Sequence, residues 1–545
     1  MLLMSRYSVK VCAFAPSQRP FQIFGKFGAG WWISVLLVLS SALGVRAQGA
    51  QDRANLGISL ARDGKLAEAE VELQQAVHVA PGVARYRAQL GSILGLEGKW
   101  KEALASFQKA IDLEPTNINF RRETAAVQWQ LGTLSSAEKN LHYVLEKHPD
   151  DAGAVLLLGL VNEKRGDYEA AARLLNSQFD LVISQPDRVV ALFNSWIRSG
   201  QRGNLSRIVD VLRFRVNDPG WSSAIGRCTQ IAAIGGELET AQSLFALIPA
   251  NEASWPGAGL QLAKALYGHG QVSTAKQVLM QLADRGVVSA DLQALLGACF
   301  EAEHQPALAI EAYKREIDLD PLRVDYYQDL ISLLLDLGKT HDADVLVNQA
   351  LTIAPTDARP WVWKANVSLQ ANAYQDAIES YMHASKLDSS NVEAILGVAT
   401  AYFVIGQNDA AITEFKKGIA RFPNDARFYI GCAETLLASP DSRKLQAEAE
   451  EFLKKATKLV PRSAEAHYQL GQLALQQSRL NDAERELLLS LQSDPNQSKA
   501  HFALSNLYRR TGRAADAKTQ FAMYQDLKVA EEAAKATAIT AGEKP

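Results

Sequence analysis

Prolines recur along this chain at a fixed interval. Pro81, Pro115 and Pro149 are 34 residues apart, Pro321, Pro355 and Pro423 fall on the same grid with Ser389 at the skipped position, and Pro461 and Pro495 are again 34 apart. No other feature constrains the fold as much. A unit of this size is too small to bury a core alone, so repeated units stack and cover one another. The step from Pro423 to Pro461 is 38 residues, which predicts a short insertion around Ser439-Pro440-Asp441-Ser442.

The residues between the prolines repeat as well. Counting back from each grid position, a small residue stands 24 places before it: Gly57, Gly91, Ala125, Gly159, Gly297, Ala365, Ala399 and Gly471. Another stands 12 before: Ala69, Ala103, Ala137, Ala171, Ala309, Ala343, Ala377, Ala411, Ala449 and Ala483. A third often stands five before: Ala76, Ala110, Ala350, Ala384, Gly418 and Ala456. A bulky residue falls eight before: Phe107, Leu141, Leu175, Tyr313, Tyr381, Phe415, Leu453 and Leu487. Turn signals such as Glu97-Gly98-Lys99, Arg165-Gly166-Asp167 and Ile405-Gly406-Gln407 split each unit into halves with apolar residues at helical spacing. Glycine ends the first helix because it tolerates the left-handed cap, and proline marks where the second cannot continue. The small residues let two antiparallel helices approach, and the bulky one fills the space beside them.

These positions resemble those of the tetratricopeptide repeat. The segments from Ala84 to Pro115 and from Val392 to Pro423 match nearly throughout, and the resemblance covers about residues 50–525. It implies an all-α fold, a right-handed superhelical solenoid of antiparallel helix pairs, here about 14 units. Four are regular between 50 and 183 (the regular N-terminal segment being 48–183), and seven are regular between 290 and 525. Divergent units fill residues 184–289, roughly 186–219, 220–253 and 256–287, where Arg207 and Phe214 stand at positions that call for alanine. Residues 526–545 read as a capping helix and a frayed tail.

Residues 1–47 read as an export signal. Arg6, Lys10, Arg19, Lys26 and Arg46 are basic, no acid is present, and residues 31–45 form an uncharged apolar run. Fifteen residues are short for a membrane span, which needs about 20. Val45-Arg46-Ala47 places small residues where signal peptidase cuts, so cleavage is expected after Ala47, leaving Gln48 as the first residue. The alternative is an uncleaved anchor over residues 27–45. A periplasmic or secreted location follows from the first reading, and attachment to the membrane only from the second.

Composition narrows the function. Apolar residues make up 48% and charged residues 21% of 545, as expected of a chain that buries a core. Without the five basic residues of the leader the chain has 52 basic and 60 acidic residues, a net charge of -8. That balance disfavours non-specific nucleic-acid binding. The nine histidines form no metal-ligand spacing; His467 and His501 share one repeat position and read as packing residues. Cys228, Cys299 and Cys432 fall on first helices of separate repeats and read as small core residues. There is no Walker loop, dinucleotide fingerprint or nucleophile elbow. No cofactor and no metal are called for, and helix pairs account for the length after Gln48. The expectation is a non-enzyme.

The resemblance also says where binding occurs: the first helices line a concave groove. One first-helix row reads Leu335, Leu369, Phe403, Leu437 and Leu475; Tyr468 and Phe502 occupy a neighbouring row, and Trp129 takes the same row in the third repeat. These eight are the expected partner-binding residues, and a contiguous apolar stripe suits an amphipathic helix or extended peptide. If the register is one residue off, the same row packs between helices instead. The co-chaperone clamp pattern Lys-x-x-x-Asn is missing, with Val362/Asn366, Ala294/Ala298 and Phe502/Asn506 in its place. The expected function is a protein-binding scaffold of the cell envelope, its partners other proteins such as envelope or secretion components. The alternatives are a membrane-tethered envelope assembly factor, and an enzyme or glycan-binding protein whose site lies in residues 184–256, where Arg188, Arg198, Arg202, Arg207, Arg213 and Arg215 would hold an anionic glycan or a phosphate.

Overall fold

The computed structural model describes residues 48–439 and 442–542; the proposed leader and cleavage site lie outside them. Among the described residues the chain forms fourteen antiparallel helix pairs and no strand. It divides into two compact units, one ending at Val278 and the other starting at Leu279.

In the first unit the regular pairs run from residues 48–62 and Leu66–Val79 through Ala152–Arg165 and Tyr168–Ser177. The pairs Pro186–Arg198 with Leu205–Arg215 and Trp221–Ile234 with Leu238–Phe245 follow. The second unit holds seven further pairs, from Ala290–Ala302 with Pro306–Leu319 to Ser498–Arg510 with Ala514–Gly542. That last helix is continuous over 29 residues, so the expected capping segment is an extension of the final second helix.

Packing follows the sequence pattern. All ten alanines 12 before a grid position are fully buried, and the bulky residues eight before it are at most 4% exposed. The turn glycines sit in the left-handed region, from Gly64 at φ 79° to Gly512 at 78°. The glycine at this slot is replaced by His304, Asn372 and Ser478, which adopt φ of 57°, 59° and 59°. After the turn, the amide three residues beyond the helix reaches back across it, as Lys99 N does to Leu94 O at 2.8 Å. First helices open on short polar caps: Asp151 accepts from Ala154 N, Asn391 from Ala394 N and Ser463 from Ala466 N.

The grid prolines do more than end a helix. Each leaves a carbonyl without a helical partner, and at seven of the eight, all but Pro149, a side chain six residues on bonds to it. Arg87, Arg121, Tyr327, Trp361, Tyr429, His467 and His501 bond to the oxygens of Pro81, Pro115, Pro321, Pro355, Pro423, Pro461 and Pro495 at 2.9 to 3.3 Å. Four residue types perform one task because each combines a long body with a terminal N–H or O–H.

One expectation is sharpened and one corrected. The four extra residues of the 38-residue step lengthen a helix that begins at Ser442. Three residues join Ala426–Ala438 to Ser442–Leu459, as in the sibling repeats, and the second helix is 18 residues long rather than 14. Four residues are close to one helical turn, so the buried face is preserved. In the helix Leu205–Arg215 the buried face is Leu205, Ile208, Val209 and Leu212, while Phe214 is 86% exposed. The regular register does not carry through this repeat, so the alanine positions assigned to Arg207 and Phe214 are not core positions.

Candidate functional site: the first-helix face

Each unit contains a concave pocket built from the first helices of three successive repeats. In the second unit, Gln328, Ile331, Ser332 and Leu335 come from Tyr327–Asp336, and Arg359, Val362, Trp363 and Asn366 from Ala358–Gln370. Asn391 and Glu393 at the start of Val392–Val404 complete a cavity of about 300 Å³. In the first unit, Arg122, Glu123, Ala126, Trp129 and Gln130 face Gly153, Leu156, Leu157, Leu160 and Arg188 around about 70 Å³. No second helix contributes to either.

The two pockets differ in chemistry. The larger has an apolar floor of Ile331, Leu335 and Val362 beneath a polar rim. Asn366 Oδ1 accepts the Tyr381 hydroxyl, which directs the Asn366 amide nitrogen away from that bond. The smaller is walled by Trp129 and leucines. Trp129 Nε1 donates to Leu160 O at 3.3 Å, and Lys164 Nζ lies 5.2 Å from the ring centroid. Arg122 is held by Asp151 at 2.8 Å, and burial raises the Glu123 carboxyl above its ordinary range.

The expected stripe is divided between these surroundings. Leu335 lines the larger pocket and Trp129 the smaller. Leu369, Phe403, Leu437 and Leu475 are half-buried, each packed against the core of its own region. Tyr468 is half-buried and its hydroxyl accepts from Gln472 at 3.0 Å. Phe502 is exposed and lies 5.0 Å from the Tyr524 ring. The stripe therefore both packs and faces outward. Its backbone is tied to the next repeat: Lys164 donates to Trp129 O, Gln370 to Leu335 O and Arg510 to Leu475 O, each 35 residues on.

A charged row escaped the reading of the sequence. Four residues after successive grid positions stand Asp325, Arg359, Glu393, Arg427, Glu465 and Lys499, alternating in sign along the second unit. Arg359 pairs with Asp325 of the preceding repeat, and Arg427 with Glu393 at 2.6 Å. Each arginine also binds the cap of its own helix, and these bonds hold the Asp357 and Asp425 carboxyls below the usual carboxylate range. The signal was available on the 34-residue grid, at a polar position.

Of the six arginines in residues 188–215, Arg198 is exposed and the other five are engaged by neighbours. Arg202 pairs with Glu237 at 2.5 Å, Arg213 with Asp210 and Arg215 with Asp218. Arg207 lies 4.2 Å from the Phe179 ring centroid and bonds Asn176, while Arg188 is buried and donates to Leu181 O. His467 and His501 are buried packing residues. Their Nδ1 atoms face Glu486 at 2.8 Å and Gln520 at 2.6 Å, and no described cluster of His, Cys, Asp or Glu has metal-binding geometry. Cys228, Cys299 and Cys432 are all buried. Among the described residues no helix is long and apolar enough to cross a membrane.

Family models described as tetratricopeptide repeat match residues 55–118, 123–178, 260–323, 368–438 and 446–498, together more than half of the chain. The chain belongs to the tetratricopeptide repeat family. Among curated relatives, it is similar to the human protein O-mannosyl-transferase TMTC3, 24% identical over 32% of this chain and 19% of that protein. It is also similar to Caenorhabditis elegans tetratricopeptide repeat protein 8, 19% identical over 48% of this chain and 44% of that protein. TPR repeat protein oca3 of Schizosaccharomyces pombe is 24% identical over 26% of this chain and 50% of that protein. The chain thus spans half or less of the length of these relatives. Among solved structures it is similar to yeast Tom70, with 15% identity, 90% of this chain and 95% of that one covered, and a TM-score of 0.41. The Cut9–Hcn1 hetero-tetramer of the APC/C is similar at 15% identity, with 88% and 98% covered and a TM-score of 0.36.

Proposed function

We propose that this tetratricopeptide protein is a non-catalytic scaffold that holds a segment of another protein against its first helices, and that it works in the cell envelope. The observation that carries the binding reading is the pocket of about 300 Å³ formed by three consecutive first helices, apolar at its floor and polar at its rim. Ile331, Leu335 and Val362 offer anchorage for an apolar side chain, while Gln328, Ser332 and Asn366 offer hydrogen bonds to a peptide backbone. The envelope location rests on the basic and apolar composition of residues 1–47. Partners are accordingly envelope or secretion proteins.

The binding test is co-purification of the tagged full-length protein from its own cells, wild type against Ser332→Arg. Ser332 is exposed, so the long side chain fills the pocket without entering the core. Loss of a defined partner from a variant with an unchanged circular-dichroism melt supports the reading; retention of every partner refutes it for this pocket. Cell fractionation and N-terminal sequencing test the location, with an exported protein starting at Gln48 as the expected product.

A further inference from the structure

Five residues before the grid position, the second helix presents a side chain to its packed interior. Ala76, Ala110, Val144, Ala350, Ala384, Gly418, Ala456 and Ser490 occupy this slot, and all are buried. There is little room in it: a Cβ on Gly418 would stand 2.2 Å from the ring of Phe428 in the following first helix. Glu316 occupies the same slot between Pro306–Leu319 and the repeat that follows. It is 5% exposed, and its Oε2 accepts no hydrogen bond from any described residue. Small residues serve the packing in the sibling repeats, so the carboxylate is not there to fill space.

The surroundings oppose its charge. Asp291 faces it from the first helix of its own repeat and Asp329 from the first helix of the next, while Arg323 in the intervening turn counters them. Tyr327 is committed to Pro321 O at 2.9 Å, and Asp325 is paired with Arg359. Burial first, then Asp329 and Asp291, push the Glu316 carboxyl up to about 7, and burial raises Asp329 as well. The next first helix is also irregular where it meets this seam. It opens with the 3-10 turn Val324–Tyr326 and becomes α-helical only at Tyr327, whereas the three first helices after it are α-helical for 13 residues. Tyr327–Asp336 is the helix that supplies Gln328, Ile331, Ser332 and Leu335 to the pocket.

We infer that Glu316 makes this seam proton-operated: with the proton on, Pro306–Leu319 closes on Tyr327–Asp336, and with it off, the contact loosens and the pocket wall moves with it. A carboxyl that binds its proton more tightly in the folded chain contributes stability that is full below the ordinary carboxylate range and is lost as pH rises through the folded value. The seam is therefore tight in mildly acidic surroundings and loose in alkaline ones. Its effect on binding rests on the pocket reading above; the seam itself does not.

Hydrogen exchange of the full-length protein, read by mass spectrometry near pH 5.5 and pH 8 and corrected for intrinsic exchange, separates the two. In the wild type, protection across residues 313–336 falls about tenfold or more at the higher pH relative to residues 374–404, which serve as the internal reference. In Glu316→Gln, and in Glu316→Ala, which installs the residue of the sibling repeats, the difference between the two pH values shrinks to what Asp329 contributes. A wild type with no pH-dependent loss at 313–336 overturns the inference, as does a loss of undiminished size in Glu316→Gln. Neither readout uses a partner, so failure of the pocket reading leaves the result interpretable.

Discussion

Gly297 lies against the face of Tyr313 so closely that a Cβ built on it would stand 2.4 Å from the ring. The same approach joins Gly91 to Phe107 at 2.9 Å and Gly471 to Leu487 at 2.7 Å. The glycine at the first-helix position and the bulky residue 16 places later are thus one packing unit, used again wherever glycine holds that position. Gly297→Ala forces the Tyr313 ring to shift and should destabilise the second unit by about 1–3 kcal/mol. Gly91→Ala, with more room, should cost less. Chemical denaturation followed by circular dichroism measures both, and an unchanged midpoint for Gly297→Ala would show that the ring yields freely.

His304 and Ser478 hold a left-handed backbone in slots that glycine fills elsewhere, at φ 57° and 59°. The strain of that conformation, about 1 kcal/mol, exceeds the entropy that glycine loses on folding. His304→Gly and Ser478→Gly should each stabilise the chain by roughly 0.5 kcal/mol. Asn372→Gly should be close to neutral, because asparagine tolerates the region. Urea midpoints that fall for the first two substitutions would contradict the turn assignment.

Burial pushes the thiols of Cys228 and Cys432 up to about 12. The thiolate is the reactive species, so near pH 8 both are almost wholly protonated while folded. Iodoacetamide should leave them unlabelled in the native protein and label them after urea unfolding, as counted by mass spectrometry. Rapid labelling of the folded chain would mean that these first helices open far more often than their packing implies.

Arg427 and Glu393 join adjacent repeats at 2.6 Å, yet both side chains are about half exposed, 48% and 60%. Exposed pairs contribute little. Glu393→Gln should therefore cost less than about 1 kcal/mol at low ionic strength, and less still in concentrated salt. A larger, salt-insensitive loss would show that the row is a structural brace.

The helix pairs, their count and their buried small residues were legible because one period governs them. Ten alanines at one offset cannot be chance, and each is buried. The groove was legible less sharply. Leu335 and Trp129 line pockets, but Phe403 and Leu437 of the same row are half-buried on core clusters, since one first-helix position serves both surfaces. The charged side of the site was missed for a physical reason: Arg359 and Glu393 are spaced by the same grid but vary in type, and a search for recurring small or apolar residues passes over them. Glu316 was readable as a carboxylate in a small-residue slot, but its lack of a hydrogen-bond donor belongs to three dimensions. Around Phe214 the grid predicts a buried position and the chain turns that side chain outward.

The lengthened helix Ser442–Leu459 shows how such a protein can grow. Its extra residues come as nearly one full rotation, so Ala449, Leu453 and Ala456 stay buried, and the number of residues between the two helices is unchanged at three. Length in this architecture is quantised. Insertions of a single residue inside a helix would rotate everything beyond them by about 100° and break the seam. Whole rotations or whole repeats are the increments that heredity, or a designer, can add without renegotiating the contacts on either side.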